Sequence, residues 1–138
     1  MNTSPLERDE AATLVAYLRV KGLKFFHVPN ETGHSEEAKR RAIRIKREGG
    51  AKGVPDYFVI VNGSLVAIEL KRQKGSVTSP EQHAWIAALN AVDNVQAFVC
   101  HGSAVAIDII EKLMDNSKYV RTRSVLPSLS RLDDEPVF

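Results

Sequence analysis

The stretch Asp56-Tyr57-Phe58-Val59-Ile60-Val61-Asn62-Gly63-Ser64-Leu65-Val66-Ala67-Ile68-Glu69-Leu70-Lys71 decides how this chain folds. Two apolar, β-branched runs, residues 56–61 and 64–71, flank an Asn-Gly pair, the strongest short signal for a two-residue hairpin. Neither run alternates apolar with polar residues. Both faces must therefore be covered, as in a central sheet between helices. With Asn62 and Gly63 as the turn, Asp56 and Glu69 fall directly opposite each other, with Cβ atoms about 4.5–5.5 Å apart. A turn of another length shifts that register by one or two residues.

Outward from the hairpin, helices and short strands alternate. Residues 6–21 read as an amphipathic helix: Leu6, Ala11, Leu14 and Leu18 recur at helical spacing, Ser4-Pro5 offers a start and Gly22 a stop. Leu23–Val28 is a strand. Ser35 opens a second helix with acids first and bases last, as the helix dipole favours, and Gly49-Gly50 ends it. Only Ala38, Ala42, Ile43 and Ile45 are available to pack inward there. Ser79-Pro80-Glu81-Gln82 combines an N-cap, a first-turn proline and a capping-box glutamine. The helix it starts runs to about Val92, with Trp85, Ile86, Leu89 and Val92 on one side. Val95–Cys100 is a buried strand, and Ser103 caps a helix to about Met114. The expectation is one α/β (α+β) domain over residues 1–115, with a mixed central sheet between helices. Residues 116–138 form a polar tail, an arm whose apolar residues (Val125, Leu126, Leu129, Leu132, Val137, Phe138) suit dimerisation, or a disordered end.

The 138 residues carry 19 Lys+Arg and 17 Asp+Glu, a net charge of +2, with 43% hydrophobic and 26% charged residues. This composition excludes a disordered or fibrous chain. No run is long enough to span a membrane, and the N-terminus lacks the pattern of a secretory signal. A lone cysteine, Cys100, excludes an internal disulfide, and no Cys/His cluster suggests zinc. A cytoplasmic setting is expected. The charge is uneven. Residues 39–52 hold seven bases (Lys39, Arg40, Arg41, Arg44, Lys46, Arg47, Lys52) and one acid, Glu48, a local charge of +6 that leaves −4 elsewhere. Such a block is either a solvated helix face or a surface for a polyanion. No aromatic residues interleave it, so the block itself offers no stacking platform.

Two carboxylates in direct opposition on a buried sheet destabilise it unless something neutralises them. A divalent cation is one answer, since hard ions such as magnesium select carboxylate and carbonyl oxygens. A salt bridge at a solvated strand end is the other. Lys71, two residues beyond Glu69, shares its face and places an ammonium beside the acids.

Gly53-Val-Pro55-Asp56 followed by Ile68-Glu69-Leu70-Lys71 resembles the core of the PD-(D/E)XK nucleases. A helical Glu near the N-terminus, Asn30-Glu31 after the first strand, and Ser-Pro-Glu-Gln82 with Trp85 make the pattern similar to the VRR-NUC branch. The resemblance spans about residues 6–110 and implies a restriction-endonuclease-like core with a catalytic hairpin. It implies further that Asp56, Glu69 and the main-chain carbonyl of Leu70 hold Mg2+ or Mn2+, and that Lys71 orients the attacking water. Gln82 then supports Lys71 or a phosphate, unless it is only the capping-box residue. The helical Glu maps to Glu7, which shares a face with Ala11, Leu14 and Leu18, or to Glu10; an acid there also suits the helix dipole.

By the same resemblance the chain is a metal-dependent DNA endonuclease acting on branched or Holliday-junction-like DNA as a homodimer, in a bacterial or phage-infected cell, with no small-molecule cofactor. Lys39, Arg40, Arg41, Arg44, Arg47 and Lys52, with Arg72 and Lys74 beyond the hairpin, become candidates for holding the DNA backbone. The alternatives are a restriction-type or general duplex nuclease, a non-catalytic nucleic-acid-binding module, and a structural protein whose acids form only a salt-bridge node.

Overall fold

The structure is a computed structural model that describes residues 6–29 and 33–115. In chain order the elements are α1 (Glu7–Val20), β1 (Phe25–His27), α2 (Glu36–Arg47), β2 (Tyr57–Val61), β3 (Ser64–Lys71), α3 (Pro80–Asn90), β4 (Val95–His101) and α4 (Ser103–Asp115). The strands form one mixed sheet in the order β1-β2-β3-β4. β2 runs antiparallel to both neighbours, and β4 is parallel to β3 after the crossover through α3.

The hairpin folds in the register set by its Asn-Gly turn. Tyr57 faces Ile68 and Val61 faces Ser64. Asn62 and Gly63 take φ of 49° and 81°, the double positive φ that a type I′ turn requires. The ladder ends at Tyr57 and Ile68, so the next residues out on the two strands are Asp56 and Glu69.

Helices cover both faces of the sheet. On one, Leu14 and Leu18 of α1 and Ala106 and Ile110 of α4 bury Tyr57, Val59, Val61, Val66, Ile68, Leu70 and Cys100. Burial pushes the Cys100 thiol up to about 12, so it is an inert core group. On the other face, Ile86 and Leu89 of α3 pack on Phe58, Ala67 and Ala97. Asn90 anchors α3 to β4: its Nδ2 donates to the Ala97 carbonyl and its Oδ1 accepts from Ala97 N–H at 2.8 Å.

Several expectations are corrected. The first strand is only Phe25–His27. α1 begins after Leu6, where the Asp9 carboxylate accepts from Leu6 N–H at 3.2 Å; Ser4-Pro5, the start expected for this helix, lies outside the described residues. Of the four apolar side chains assigned inward on α2, only Ala38 is buried; Ile43 is 59% exposed and Ile45 and Ala42 also face water. α2 is too basic to bury a full stripe without desolvating its neighbours. α3 ends at Asn90, leaving Val92 exposed, and Trp85 is only half-buried. Asn30-Glu31 and the tail 116–138 lie outside the described residues.

Candidate functional site

Glycine, proline and strand register bring the acids together. Gly53 has φ +89°, and a Cβ there would lie 2.7 Å from the Glu81 carbonyl carbon and 2.8 Å from Gln82 N. Only glycine fits between that loop and the start of α3. Pro55 is buried, and Asp56 follows it immediately before β2. The Asp56 carbonyl accepts from Val28 N–H at 2.7 Å, holding the β1 side. Its Oδ2 accepts from Leu70 N–H at 3.0 Å, holding the β3 side.

Glu69 is 3% exposed. Its Oε1 accepts from Gln82 Nε2 at 2.7 Å and lies 3.5 Å from Lys71 Nζ. Its Oε2 is buried with no hydrogen-bond partner. Burial and then the Asp56 charge push the Glu69 carboxyl up to about 7, against the pull of Lys71. Asp56 is raised as well, chiefly by burial and next by Glu7, with the Leu70 N–H opposing. Gln82 fills the capping box, its Oε1 accepting from Ser79 N–H at 2.9 Å, but its amide donates to Glu69 and not to Lys71, the partner expected of it.

The two helical glutamates separate cleanly. Glu7 is exposed and lines a groove of about 310 Å³ with Arg8, Ala11, His27, Asp56, Tyr57 and Leu70. Glu10 is buried on the stripe of Leu14 and Leu18. Its Oε2 accepts from Ser103 N–H at the start of α4, and its Oε1 from Gln73 Nε2 at 2.9 Å. These bonds, the Ser103 N–H foremost, hold its carboxyl below the ordinary value. Both Glu10 oxygens serve the fold, so Glu7 is the acid that faces the pair. Glu10 does position the site indirectly, because Gln73 follows Lys71 and Arg72, and Gly102 N–H donates to the Lys71 carbonyl at 2.9 Å.

The donor set fits a hard divalent ion. Asp56 and Glu69 supply two carboxylates, one with an unused buried oxygen, beside the Leu70 backbone. Among the described residues no three His, Cys, Asp or Glu side chains gather tightly enough to hold an ion alone. Asp56 and Glu69 are the carboxylates that such an ion would meet, with Glu7 lining the groove beside Asp56.

The candidate basic residues are exposed apart from Arg72. Lys39 pairs with Glu36 at 3.7 Å and Arg41 with Glu37 at 3.8 Å, while Arg40, Arg44 and Arg47 share one exposed helix stripe. Lys52 reaches Glu81 at 3.9 Å, which ties the end of the block to α3. Arg72 is half-buried with an unpartnered buried Nε, and Lys74 is exposed. His27 and Tyr57, with rings 4.8 Å apart, were invisible as groove residues, since only the β1–β2 register joins them. Glu10 had a signal: an acid four and eight residues before Leu14 and Leu18 sits on the buried stripe.

No helix among the described residues is long and apolar enough to cross a membrane. No protein-family model matches the sequence, and no curated protein matches it. Among solved structures, a VRR_NUC domain protein aligns with a TM-score of 0.66 at 21% identity, over 83% of this chain and 92% of that one. The chain therefore has the restriction-endonuclease-like fold of a VRR_NUC domain protein, as its Pro-Asp, Glu-x-Lys and Gln pattern leads one to expect.

Proposed function

We propose that the protein is a metal-dependent nuclease that hydrolyses DNA phosphodiester bonds. One observation carries this reading: Asp56 and Glu69 are buried side by side, with Glu69 Oε2 unpartnered and Lys71 at hand. A structural salt bridge would pair that oxygen. Magnesium or manganese, held by Asp56, Glu69 and the Leu70 carbonyl with help from Glu7, would lower the pKa of a bound water and draw charge from a phosphate oxygen. Lys71 orients the attacking water and offsets charge on the phosphate. Gln82 fixes Glu69 through Oε1, so Oε2 would be the oxygen available to such an ion. Arg40, Arg44, Arg47 and Lys52, with Lys39, Arg41, Arg72 and Lys74, hold the DNA backbone without reading sequence. Branched duplex DNA as preferred substrate and a second copy as partner are the finer parts of the proposal; the resemblance to VRR-NUC nucleases supports them.

The test is cleavage of labelled four-way junction, flap, plain duplex and single-stranded DNA with manganese, magnesium or EDTA. Glu69→Ala and Lys71→Ala are the controls. Cutting that needs the metal and both side chains is expected. Protein that cuts none of these DNAs, or cuts equally well in EDTA, refutes the reading. Equal cutting of junction and duplex removes only the preference for branches.

A further inference from the structure

Strand register creates an aromatic surface beside the acid pair. Phe26 on β1 faces Phe58 on β2, with ring centroids 5.1 Å apart and planes within 6° of parallel. Phe58 is buried, but Phe26 is 56% exposed. One face of the Phe26 ring is thus seated on a fixed partner while much of the ring meets water. Ile60, 53% exposed, extends the strip on the same side of the sheet. α3 covers β3 and β4 on that side and leaves this edge open.

Position says what the surface suits. Phe58 lies two residues along the chain from Asp56. Val28, two residues beyond Phe26, donates its N–H to the Asp56 carbonyl at 2.7 Å, which holds this end of β1 against Asp56. Val28 and Val54, which flank the segment carrying α2, both pack against the Phe58 cluster. The segment that carries the basic helix thus leaves and rejoins the sheet on that face. A flat apolar ring, an acid pair and the two ends of the basic segment lie along one part of the sheet. A partner with flat apolar faces on a polyanionic backbone matches all three; a second protein copy matches only the ring and would crowd one +6 segment against another.

We propose that Phe26 is a stacking platform for an unpaired nucleobase next to the phosphate held at Asp56 and Glu69. The inference rests on the nuclease reading for the location of that phosphate. It gives a preference for branched DNA a physical source, since only a branch, flap or gap exposes a base for stacking.

The experiment compares binding, in EDTA, of a plain duplex and the same duplex carrying a flap. Wild type, Phe26→Ala, Phe26→Leu and Phe26→Trp are used, with thermal melting to confirm folding. Leucine keeps the apolar bulk and removes the aromatic face. Ala and Leu are expected to weaken flap binding about tenfold and to change duplex binding less than twofold, with Trp restoring the flap. Equal loss on both DNAs, no loss, or a change of sedimenting mass with discrimination intact overturns the platform; the last result assigns the surface to a second copy. Wild-type cleavage in manganese is scored separately. Cutting without an effect of Phe26→Leu on binding sinks the platform and keeps the nuclease. Selective loss without cutting does the reverse.

Discussion

Gln82 and Glu69 share one hydrogen bond, 2.7 Å from Nε2 to Oε1, that joins the first turn of α3 to the end of β3. The same glutamine accepts from Ser79 N–H at 2.9 Å, so helix capping fixes the amide that fixes the carboxylate. Gln82→Leu removes both contacts. Its expected cost is about 1–2 kcal/mol of stability. The single-turnover cleavage rate in manganese should fall at least tenfold. Denaturant unfolding and rapid-quench kinetics measure the two effects; an unchanged rate would show that Glu69 needs no such support.

Glu69 makes the metal-free protein less stable as pH rises. Its carboxyl titrates near 7 when folded, against an ordinary value of 4.5, so the native state holds a proton that the unfolded chain has already released. The stabilisation is complete below about pH 4.5 and is lost as pH climbs through 7; Asp56, also raised, acts in the same direction. The loss is at most about 3 kcal/mol. In EDTA, Tm should drop by several degrees from pH 5.5 to 8, and Glu69→Gln should flatten the slope. Manganese should restore Tm at pH 8 far more than at pH 5.5, where protons compete. A Tm that rises over this interval contradicts the assignment.

Gly53 and Gly63 both have positive φ, yet they predict different costs. A Cβ at Gly63 meets nothing within 4 Å, so Gly63→Ala carries only the conformational cost of about 1 kcal/mol. A Cβ at Gly53 meets the backbone of Glu81 and Gln82 below 3 Å. Gly53→Ala should cost more than about 2 kcal/mol and reduce cleavage as well, because the loop it displaces ends at Asp56. Matched losses in the two variants would count against the close fit.

Glu10 and Glu7 should separate fold from site. Glu10→Ala leaves Ser103 N–H and Gln73 without their acceptor and should cost about 2–3 kcal/mol. Because its folded carboxyl is held low, the stability that Glu10 contributes is present above pH 4.5 and lost on acidification. Glu7→Ala, at an exposed position, should change stability by less than about 0.5 kcal/mol while weakening manganese binding in calorimetry. The reverse pattern would exchange their roles.

Arg40, Arg44 and Arg47 form the stripe of α2 free of the pairings that Glu36 and Glu37 make with Lys39 and Arg41. Replacing the three by Ala should weaken DNA binding and lower the slope of log affinity against log salt by up to about 2.7 on duplex. Circular dichroism should show the fold intact. An unchanged salt slope would place the DNA elsewhere.

Local signals carried much of the fold. Asn62-Gly63 set the hairpin register, and through it the opposition of Asp56 and Glu69, because a two-residue I′ turn leaves no other pairing. Ser79-Pro80 and Ser35 marked helix starts that match their structure. The short β1 and the exposed Ile43 and Ile45 were not legible in the same way, since apolar spacing records what can be buried and not what a neighbour covers.

The sequence alone determined what neighbouring residues decide between themselves: the turn, the caps, the basic helix and the pairing of two acids across one hairpin. Only the tertiary structure decided which glutamate of α1 faces the site, that Gln82 holds Glu69 through a single oxygen, and that Phe26 stacks on Phe58. Those relations join residues 13 to 93 positions apart. They depend on how α1, β1 and α3 dock on the sheet, and docking follows summed packing over both faces, which no short run of residues encodes.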